Sequence, residues 1–400
     1  MNILVLSNKP PFPPKDGGAI ATFNLAKGLA ENGHSVHVLA MNTSKHKVNI
    51  NSLPKFNNLT FTYIEVNTEI KFLNAFVNLF FSKFPYNAER FISKGYLSEL
   101  EKIIQEQHFD IVQLEGPYLW FCVGLIKKYS KAPISFRAHN VEFEIWQRAA
   151  EAEKNIIKKF YLNHLSKRIK WFELSLINLY DFLIPITARD EKLFCSFGNT
   201  KPSFVVPVGI DVPELKENVL NNKSIFYIGA LDWIPNQEGL LWFIDNVFHN
   251  LIAQHNNIQF HIAGRNAPDW LIKKFAFKNI FYHGEIDDAH SFILNSGIML
   301  VPLFSGSGMR VKIVEGLALG KPIITTSIGA EGIDITDGEN IIIADDSETF
   351  CKKLFELIEN SGKANLLSLN GRKFAVQNYN YIAIAKNLAD FYINHQNIKN

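Results

Sequence analysis

Cysteine is scarce in this 400-residue chain, which has only Cys122, Cys195 and Cys351. Three widely spaced cysteines form neither a disulfide framework nor a metal-ligand pair, and they favour a reducing compartment. The N-terminal stretch MNILVLSNKPPFPP lacks a charged region ahead of an apolar core, so no secretory signal is expected. Apolar runs are also short of the roughly 18 residues that span a membrane. We therefore expect a cytoplasmic protein.

An excess of charge of one sign is lacking as well, because 41 Lys and Arg face 39 Asp and Glu. Residues 1–200 carry a net charge of +6 and residues 201–400 a net charge of −4. A nucleic-acid-binding protein would show a strong basic stripe, so no nucleic-acid partner is expected. The sequence also lacks a convincing Asp-x-Asp pair and a His/Cys ligand spacing, so neither a metal nor another cofactor is expected.

What the chain does have is two successive arrays of alternating strand and helix patterns. The strand candidates of the first array are Asn2–Ser7, Ser35–Ala40, Leu59–Val66, Asp110–Glu115, Pro133–Arg137 and Phe182–Ile186. Those of the second array are Ser224–Gly229, Ile258–Ala263, Asn279–His283, Gly297–Pro302, Lys321–Thr326 and Asn340–Ala344. This pattern predicts an α/β protein with two doubly wound parallel sheets, joined near Ser203–Asn222. Ligands of such sheets bind at the carboxyl ends of the strands.

Two segments at strand ends of the first array are candidates for binding. In Pro13–Gly18, two adjacent glycines let backbone N–H groups approach an anion, and a helix N-terminus follows. This segment is either a cradle for a diphosphate or sugar, or a plain loop before a helix. In Arg137–Glu142, an Arg, a His and a Glu directly follow a strand, which favours a binding site over a helix start capped by Asn140.

Two further segments belong to the second array. Gly229–Asn236 combines an Asp-Trp pair with a Pro-Asn turn. It is either a ligand-binding loop or a structural turn in which the Trp packs against the protein. In Phe304–Pro322, a Gly-Ser-Gly loop leads into a helix whose start carries Arg310 and Lys312. Exposed N–H groups, a helix end and two cations suit a leaving diphosphate. Glu315 is placed to accept hydrogen bonds from ribose hydroxyls.

Phenylalanine is unusually frequent, with 33 residues, and part of it lies in amphipathic stretches. Two apolar stripes repeat every fourth residue: Ile157, Tyr161 and Leu165 in a basic helix, and Phe72, Phe76, Phe80 and Phe84 in another segment. The favoured interpretation is a helix whose charged face contacts solvent while its apolar stripe packs into the core. The alternative is docking on an anionic membrane or a lipid-linked substrate, with peripheral contact at the inner membrane face.

With these motifs the chain resembles a retaining glycosyltransferase of family 4, with the GT-B fold of two Rossmann-like domains facing a central cleft. The resemblance covers nearly the whole chain, including Gly17-Gly18, Val206–Asp211 and Gly329–Gly332. It implies that residues 1–205 bind the acceptor and that residues 206–378 bind a nucleotide sugar. It also implies that a terminal helix of about 379–400 crosses back to the first domain.

The resemblance assigns roles to residues of both domains. The expected catalytic residues are His139, which would contact the transferred sugar, Arg310 and Lys312. The expected donor-binding residues are Gly17, Gly18, Gly229, Asp232, Gly264, Gly284, Glu285, Ile286, Gly306, Ser307, Gly308, Met309 and Glu315. The expected acceptor-binding residues are Arg137, Asn140 and Glu142.

The chain also departs from the family pattern. The first glutamate of the E-x7-E motif falls at Ser307, and the usual Gly-Arg after the first strand of the second domain is Gly229-Ala230. The Lys that normally follows is replaced by Asn236. We therefore expect Arg310 and Lys312 to replace the missing phosphate-binding cations. The combination of Asp232–Asn236 with Gly-Ser-Gly-Met-Arg-Val-Lys resembles a branch of sugar transferases of bacterial polysaccharide assembly.

The resemblance thus implies retaining, metal-independent transfer of a hexosyl group from a nucleotide-diphosphate sugar to a glycan or lipid-linked acceptor. Such a reaction belongs to cell-surface polysaccharide or glycoconjugate biosynthesis. Two alternatives stay open. One is a sugar-nucleotide epimerase of the same fold, and the other is a non-catalytic nucleotide-sugar-binding subunit, because Ser307 and Ala230 break family positions.

Overall fold

Short apolar segments alternate with amphipathic ones along the chain, and in each half they form a parallel sheet covered by helices. The computed structural model describes residues 1–49, 53–214, 221–306 and 308–396, without the side chains of Phe72, Asn74, Ala75, Phe76, Phe80 and Gln396. The chain divides into unit 1, formed by Met1–Gly209 and Tyr381–Asn400, and unit 2, formed by Ile210–Asn380.

Unit 1 contains a six-stranded parallel sheet with the order β3-β2-β1-β4-β5-β6. Its strands are β1 (Asn2–Ser7), β2 (Ser35–Thr43), β3 (Leu59–Val66), β4 (Ile111–Glu115), β5 (Ile134–Ala138) and β6 (Phe182–Pro185). Its first eight α-helices are α1 (Gly17–Glu31), α2 (Phe72–Phe81), α3 (Tyr86–Glu89), α4 (Lys94–Glu106), α5 (Val123–Tyr129), α6 (Glu142–Ala152), α7 (Ile156–Leu176) and α8 (Ala188–Ser196). The inner strands are buried on both faces, as expected of a sheet covered by helices on each side.

Unit 2 contains a second six-stranded sheet with the order β12-β11-β10-β7-β8-β9, so both units wind their strands in the same sequence. Its strands are β7 (Ser224–Ile228), β8 (Gln259–Ala263), β9 (Ile280–Tyr282), β10 (Ile298–Val301), β11 (Ile323–Thr325) and β12 (Ile342–Ile343). Its helices are α9 (Ile234–Phe243), α10 (His249–Gln254), α11 (Asp269–Lys274), α12 (Ala289–Asn295), α13 (Val311–Ala318), α14 (Ser347–Glu359) and α15 (Ser361–Tyr379). A π-helical turn, Ile244–Phe248, joins α9 to α10.

The last helix, α16 (Tyr381–Gln396), belongs to unit 1 and packs on α1. Ile384, Leu388 and Tyr392 form its buried face at a spacing of four residues. The contact is close, because a Cβ added to Gly28 would lie 2.8 Å from the Cβ of Ala385. The prediction of a terminal helix that returns to the first domain is therefore confirmed.

The predicted α/β class with two doubly wound parallel sheets is also confirmed, and each of the twelve predicted strands overlaps an observed one. Two helices, α6 and α7, lie between β5 and β6. The helical stretch breaks after Ala152, because the side chain of Asn155 accepts hydrogen bonds from the N–H groups of Ile157 and Lys158 and starts a new helix.

Candidate functional site

The carboxyl ends of the unit 1 strands surround a pocket of about 670 Å³. This is the edge of a doubly wound sheet at which ligands bind. Of the predicted site residues, Gly18, His139, Asn140 and Glu142 line the pocket, whereas Gly17 begins α1 outside its lining.

A buried carboxylate organises the floor of this pocket. Oε2 of Glu115, the last residue of β4, lies 2.6 Å from Nε2 of His139 and 3.5 Å from Nη1 of Arg137. The Thr22 hydroxyl donates to the same oxygen over 2.9 Å. Burial alone would raise the pKa of Glu115, but Arg137 and His139 outweigh it and bring that pKa to about 2. Glu115 is therefore ionised and accepts from Nε2 of His139, which leaves Nδ1 of a neutral imidazole as an acceptor.

Arg137 itself does not reach the pocket. Its side chain has no exposed surface, and Nη1 donates to the backbone oxygen of Ala21 over 2.9 Å. The expected contact of Arg137 with an acceptor therefore disagrees with the structure. The guanidinium instead balances the charge of Glu115, because a buried carboxylate needs a counter-ion.

Asp16 caps α1 and pairs with Lys9, which lines the pocket. Its Oδ1 accepts from the N–H of Ala19 over 2.9 Å and from Nζ of Lys9 over 2.6 Å. Burial raises the pKa of Asp16, but the hydrogen bond to His46 and the charge of Lys9 outweigh it and hold that pKa well below its usual range. A carboxylate thus occupies the positive end of α1, which the interpretation of Pro13–Gly18 as an anion cradle did not anticipate.

Two buried carboxyl groups define the start of α6. The side chain of Glu142 accepts from the Tyr118 hydroxyl over 2.9 Å, and the backbone N–H groups of Glu142 and Phe143 donate to Glu173. Burial, together with the charge of Glu142, raises the pKa of Glu173 to about 8. Glu173 therefore supplies the acceptor at this helix end, and the alternative of a cap at Asn140 is wrong.

In unit 2, the ammonium group of Lys312 lies at the carboxyl end of β7. Its Nζ donates to the Tyr227 hydroxyl over 2.9 Å and to Oδ1 of Asn236 over 3.1 Å. A Cβ added to Gly229 would lie 3.1 Å from that Nζ. Burial, followed by the charge of Arg310, lowers the pKa of Lys312 to about 7. The helix α13 thus brings a cation to Asn236, the position where the family pattern has its lysine.

Arg310 and the glycine loop before α13 surround Trp233. The guanidinium of Arg310 lies over the Trp233 ring, 5.5 Å from its centroid. Gly306 and Gly308 have φ values of 100° and 79°, which side chains other than glycine rarely adopt. A Cβ at Gly306 would also lie 2.9 Å from the Trp233 ring. Ser307, a predicted donor contact, lies outside the described residues.

The remaining predicted residues of unit 2 follow neighbouring strands. The N–H of Gly264 donates to the oxygen of Gly284 over 2.8 Å, and a Cβ at Gly264 would lie 2.0 Å from the oxygen of Gly229. The loops after β7, β8 and β9 are thus in contact. Three more predicted residues lie in these loops or the glycine loop: Glu285 and Ile286 after β9, and half-buried Met309 before α13. Asp232 is exposed, and its Oδ2 lies 3.4 Å from Nδ2 of Asn266.

Glu315 is the predicted ribose ligand on α13. Burial raises the pKa of its carboxyl group to about 7. No hydrogen bond or ion pair to this carboxyl group occurs within residues 1–49, 53–214, 221–306 and 308–396. A buried carboxyl group that has no protein partner is well suited to accept hydrogen bonds from the hydroxyl groups of a ligand.

The pocket residues that sequence reasoning missed include Lys9, Arg90, Glu115 and Tyr118. Glu115 left a usable signal, since it is an acid at the end of a buried and mostly apolar strand. Arg90 left none, because it follows the short helix α3, whose position next to the pocket depends on tertiary packing.

The amphipathic stretches are only partly buried. On α7 Leu165 is buried, whereas Ile156, Ile157 and Phe160 are 77–84% exposed. The predicted stripe of Phe72, Phe76 and Phe80 lies outside the described side chains, and Phe84 packs on Trp120.

None of the helices in the described part of the chain combines the length and apolarity needed to cross a bilayer. Within the same residues, no group of three or more His, Cys, Asp or Glu is placed to hold a metal ion.

Comparisons with known proteins agree with this architecture. The family described as Glycosyltransferase Family 4 matches residues 15–214, and the one described as Glycosyl transferases group 1 matches residues 222–360. An uncharacterized 44.6 kDa protein in the cps region of Klebsiella pneumoniae is 22% identical, over 94% of this chain and 96% of its own. An uncharacterized glycosyltransferase of Methanocaldococcus jannaschii is 32% identical, over 49% of this chain and 61% of its own.

Among solved structures, HepE of Anabaena in complex with UDP aligns with a TM-score of 0.67 and 13% identity, over 98% of this chain and 99% of that protein. HepE has also been solved with UDP-glucose. This likeness supports the GT-B fold. Since the family 4 match covers half of the sequence, the chain belongs to glycosyltransferase family 4 and is a glycosyltransferase.

Proposed function

We propose that the protein is a retaining hexosyltransferase that moves a sugar from a nucleotide-diphosphate donor to a glycan or lipid-linked acceptor. Unit 2 binds the donor and unit 1 binds the acceptor. The reaction belongs to the assembly of a cell-surface polysaccharide or glycoconjugate, as the branch-like motif around Trp233 and Arg310 suggests.

The observation that carries this proposal is the environment of Lys312. Among the described residues, the hydrogen bonds of its ammonium group go to neutral oxygen atoms, those of Tyr227, Ile228 and Asn236, and Lys312 is largely buried. A cation without a carboxylate partner is costly unless an anion binds beside it. A side chain at the adjacent Gly229 would crowd the amine, so a glycine here leaves more room for a ligand. A diphosphate supplies the missing charge.

Arg310 and Lys312 then stabilise the negative charge that grows on the leaving diphosphate. Their two positive charges perform the task that a divalent cation performs in other phosphate sites, so we propose that catalysis is metal-independent. The carboxyl group of Glu315 accepts from the ribose hydroxyls. Equal activity in the presence of EDTA and of Mg²⁺ is expected, and loss of activity in EDTA would contradict metal independence.

We propose retention because the family resemblance implies it. Of the carboxyl groups that line the pocket with His139, that of Glu142 accepts a hydrogen bond from the Tyr118 hydroxyl. Glu115 is held by Arg137 and His139, which makes it a poor nucleophile. We therefore propose front-face attack, in which the departing phosphate takes the acceptor proton. Nδ1 of His139 accepts a hydrogen bond from a hydroxyl of the transferred sugar and fixes its orientation, while the backbone oxygen of His139 stabilises the positive centre.

A donor screen followed by product analysis tests the proposal. Thermal shifts with UDP, GDP, dTDP and ADP identify the nucleotide that binds, and incubation with its sugar derivatives is then analysed with and without acceptor. A glycosylated product with the donor's anomeric configuration, seen by NMR, is expected. Donor isomerised without acceptor would indicate an epimerase, and binding without turnover would indicate a non-catalytic subunit.

We also propose a cytoplasmic protein with peripheral contact at the inner membrane face. The exposed Ile156, Ile157 and Phe160 of α7 stand beside Lys154 and Lys159, a combination that binds anionic lipid surfaces. Sedimentation with anionic vesicles and not with neutral ones is the expected result. Replacement of Phe160 by Ser should reduce it, whereas the same replacement at exposed Leu366 of unit 2 should not.

A further inference from the structure

A second cavity of unit 1, a groove of about 640 Å³, adjoins the pocket around His139. Its apolar lining includes Leu73, Val77, Phe81 and Ile92, which are 74%, 48%, 84% and 46% exposed. Apolar side chains gathered in an open groove remain in contact with water unless a ligand covers them. The groove therefore offers a surface for a hydrocarbon group.

Arg90 lies at the junction, since it lines both the groove and the pocket. Its guanidinium stacks on the Phe91 ring, 4.9 Å from the centroid, and its Nε is buried. Within the described residues, Nε has no hydrogen-bond partner and no carboxylate pairs with the guanidinium. The neighbouring acid, Glu89, instead accepts from Asn78 over 2.7 Å and from the Ser82 hydroxyl. An anionic ligand would give Arg90 the partner that the protein does not supply.

The wall of the groove is held in place by a buried polar network. Arg168 of α7 donates from Nη2 to the backbone oxygens of Ser82 and Phe84 over 2.8 and 2.9 Å. Its Nη1 donates to Oδ1 of Asn78 over 3.1 Å. These bonds fix the C-terminal end of α2 against α7, so that the groove is a built feature of unit 1.

We propose that this groove binds the hydrocarbon chain of a lipid-linked acceptor, whose linking phosphate binds Arg90 and whose sugar enters the pocket of His139. The order of chemistry along the two cavities is apolar, cationic and polar, which matches hydrocarbon, phosphate and sugar in such a molecule. This inference rests on the proposed function and names its acceptor class. The groove is also lined by Lys71 and by two acids, Glu69 and Glu89, so its lining has no net charge and the phosphate contact rests on Arg90.

Binding of farnesyl diphosphate measured by calorimetry tests this assignment, with inorganic diphosphate and farnesol as partial ligands. Saturating UDP is added so that the donor site is filled. Farnesyl diphosphate should bind more tightly than either partial ligand.

Arg90→Gln should weaken the binding of farnesyl diphosphate at least about tenfold, the scale of a lost charged hydrogen bond. Val77→Ser should weaken farnesyl diphosphate by about fivefold and leave inorganic diphosphate unchanged. The matched control, Leu366→Ser on the surface of unit 2, should change neither.

Unchanged binding in both Arg90→Gln and Val77→Ser overturns the assignment, and so does binding that is lost in Arg310→Ala instead. Since Val77 and Phe81 are exposed, their Ser variants keep the test decisive if Arg90→Gln does not fold. Donor hydrolysis without acceptor tests the proposed function separately. If the protein hydrolyses the donor but does not bind farnesyl diphosphate, the proposed transfer is supported with a free glycan as acceptor, and the lipid site is contradicted. Groove-dependent binding without any donor turnover supports the lipid site and contradicts the proposed transfer.

Discussion

In unit 1 the charged side chains at the strand ends are paired with one another, whereas in unit 2 the corresponding cation is surrounded by neutral oxygens. Glu115 lies between Arg137 and His139, and Asp16 accepts from Lys9. Lys312 donates to a phenol, an amide and a backbone oxygen. Both sheets follow the same strand order, so the difference lies in the side chains that the strands and helices bring to this edge and not in the topology.

The contrast shows two ways in which one scaffold prepares a binding site. Paired charges in unit 1 hold a side chain such as His139 in a fixed orientation before any ligand arrives. Lys312 in unit 2 loses hydration and has no carboxylate partner among the described residues, so its pKa falls and its affinity for an anion rises. The first arrangement suits orientation of a neutral sugar, and the second suits recognition of a diphosphate.

The largest expected effect is on the cationic site of unit 2. Arg310→Ala should lower kcat by about 10²-fold or more, because one donor to the leaving group is lost. Steady-state kinetics with the identified donor measure this change. The matched control is Lys274→Ala, an exposed cation of the same unit, which should retain normal turnover. Near-normal kcat in Arg310→Ala would show that this arginine does not serve the diphosphate.

The paired site of unit 1 should respond in stability as well as in turnover. Glu115→Gln leaves fully buried Arg137 without a counter-ion, so the free energy of unfolding should fall by about 3 kcal/mol. The kcat should drop about tenfold, because His139 loses a charged hydrogen bond. Urea denaturation and kinetics measure the two effects, with exposed Glu106→Gln as control. A stability loss below about 0.5 kcal/mol would contradict the pairing.

Proton uptake on binding of a nucleotide should distinguish Lys312 from the paired cations of unit 1. The pKa of Lys312 is about 7, so its amine is mostly neutral at pH 8.5 until an anion binds. Binding of UDP at that pH should therefore take up about one proton. Calorimetry in buffers of different ionisation enthalpy measures it. Lys312→Met should abolish the uptake, and an unchanged value in this variant would assign the proton elsewhere.

The smallest effect is expected at Glu173, the buried cap of α6. Its pKa of about 8 in the folded state exceeds its ordinary value, so its contribution to stability is complete below about pH 4.5 and is lost as the pH rises through 8. Glu173→Gln should thus cost less than about 1 kcal/mol at pH 6. At pH 9 it should be more stable than the wild type. Urea titrations at both pH values measure this, and equal differences would contradict the raised pKa.

The doubly wound parallel class and the approximate positions of the twelve strands could be predicted from hydrophobic patterning, as for Leu59–Val66, whose bounds match the observed β3, whereas the strand order comes from the structure. His139 and Lys312 could be singled out because each lies just past an apolar strand or a glycine loop. Arg137 could not be interpreted correctly, since its sequence position does not reveal that its side chain turns inward to Glu115. Arg90 could not be found at all, because its role depends on two cavities that meet around it.

The sequence by itself determined the two parallel sheets, the glycine loops and the family, because these follow from local periodicity, from backbone conformations that only glycine adopts readily, and from motif spacing. Only the tertiary structure decided which charges meet. Lys312 donates a hydrogen bond to Tyr227, 85 residues away, and Tyr392 donates one to Gln113, 279 residues away. Arg168 donates to the backbone oxygen of Ser82, 86 residues away. Burial and partners set the pKa of each group, and both arise from packing between distant segments.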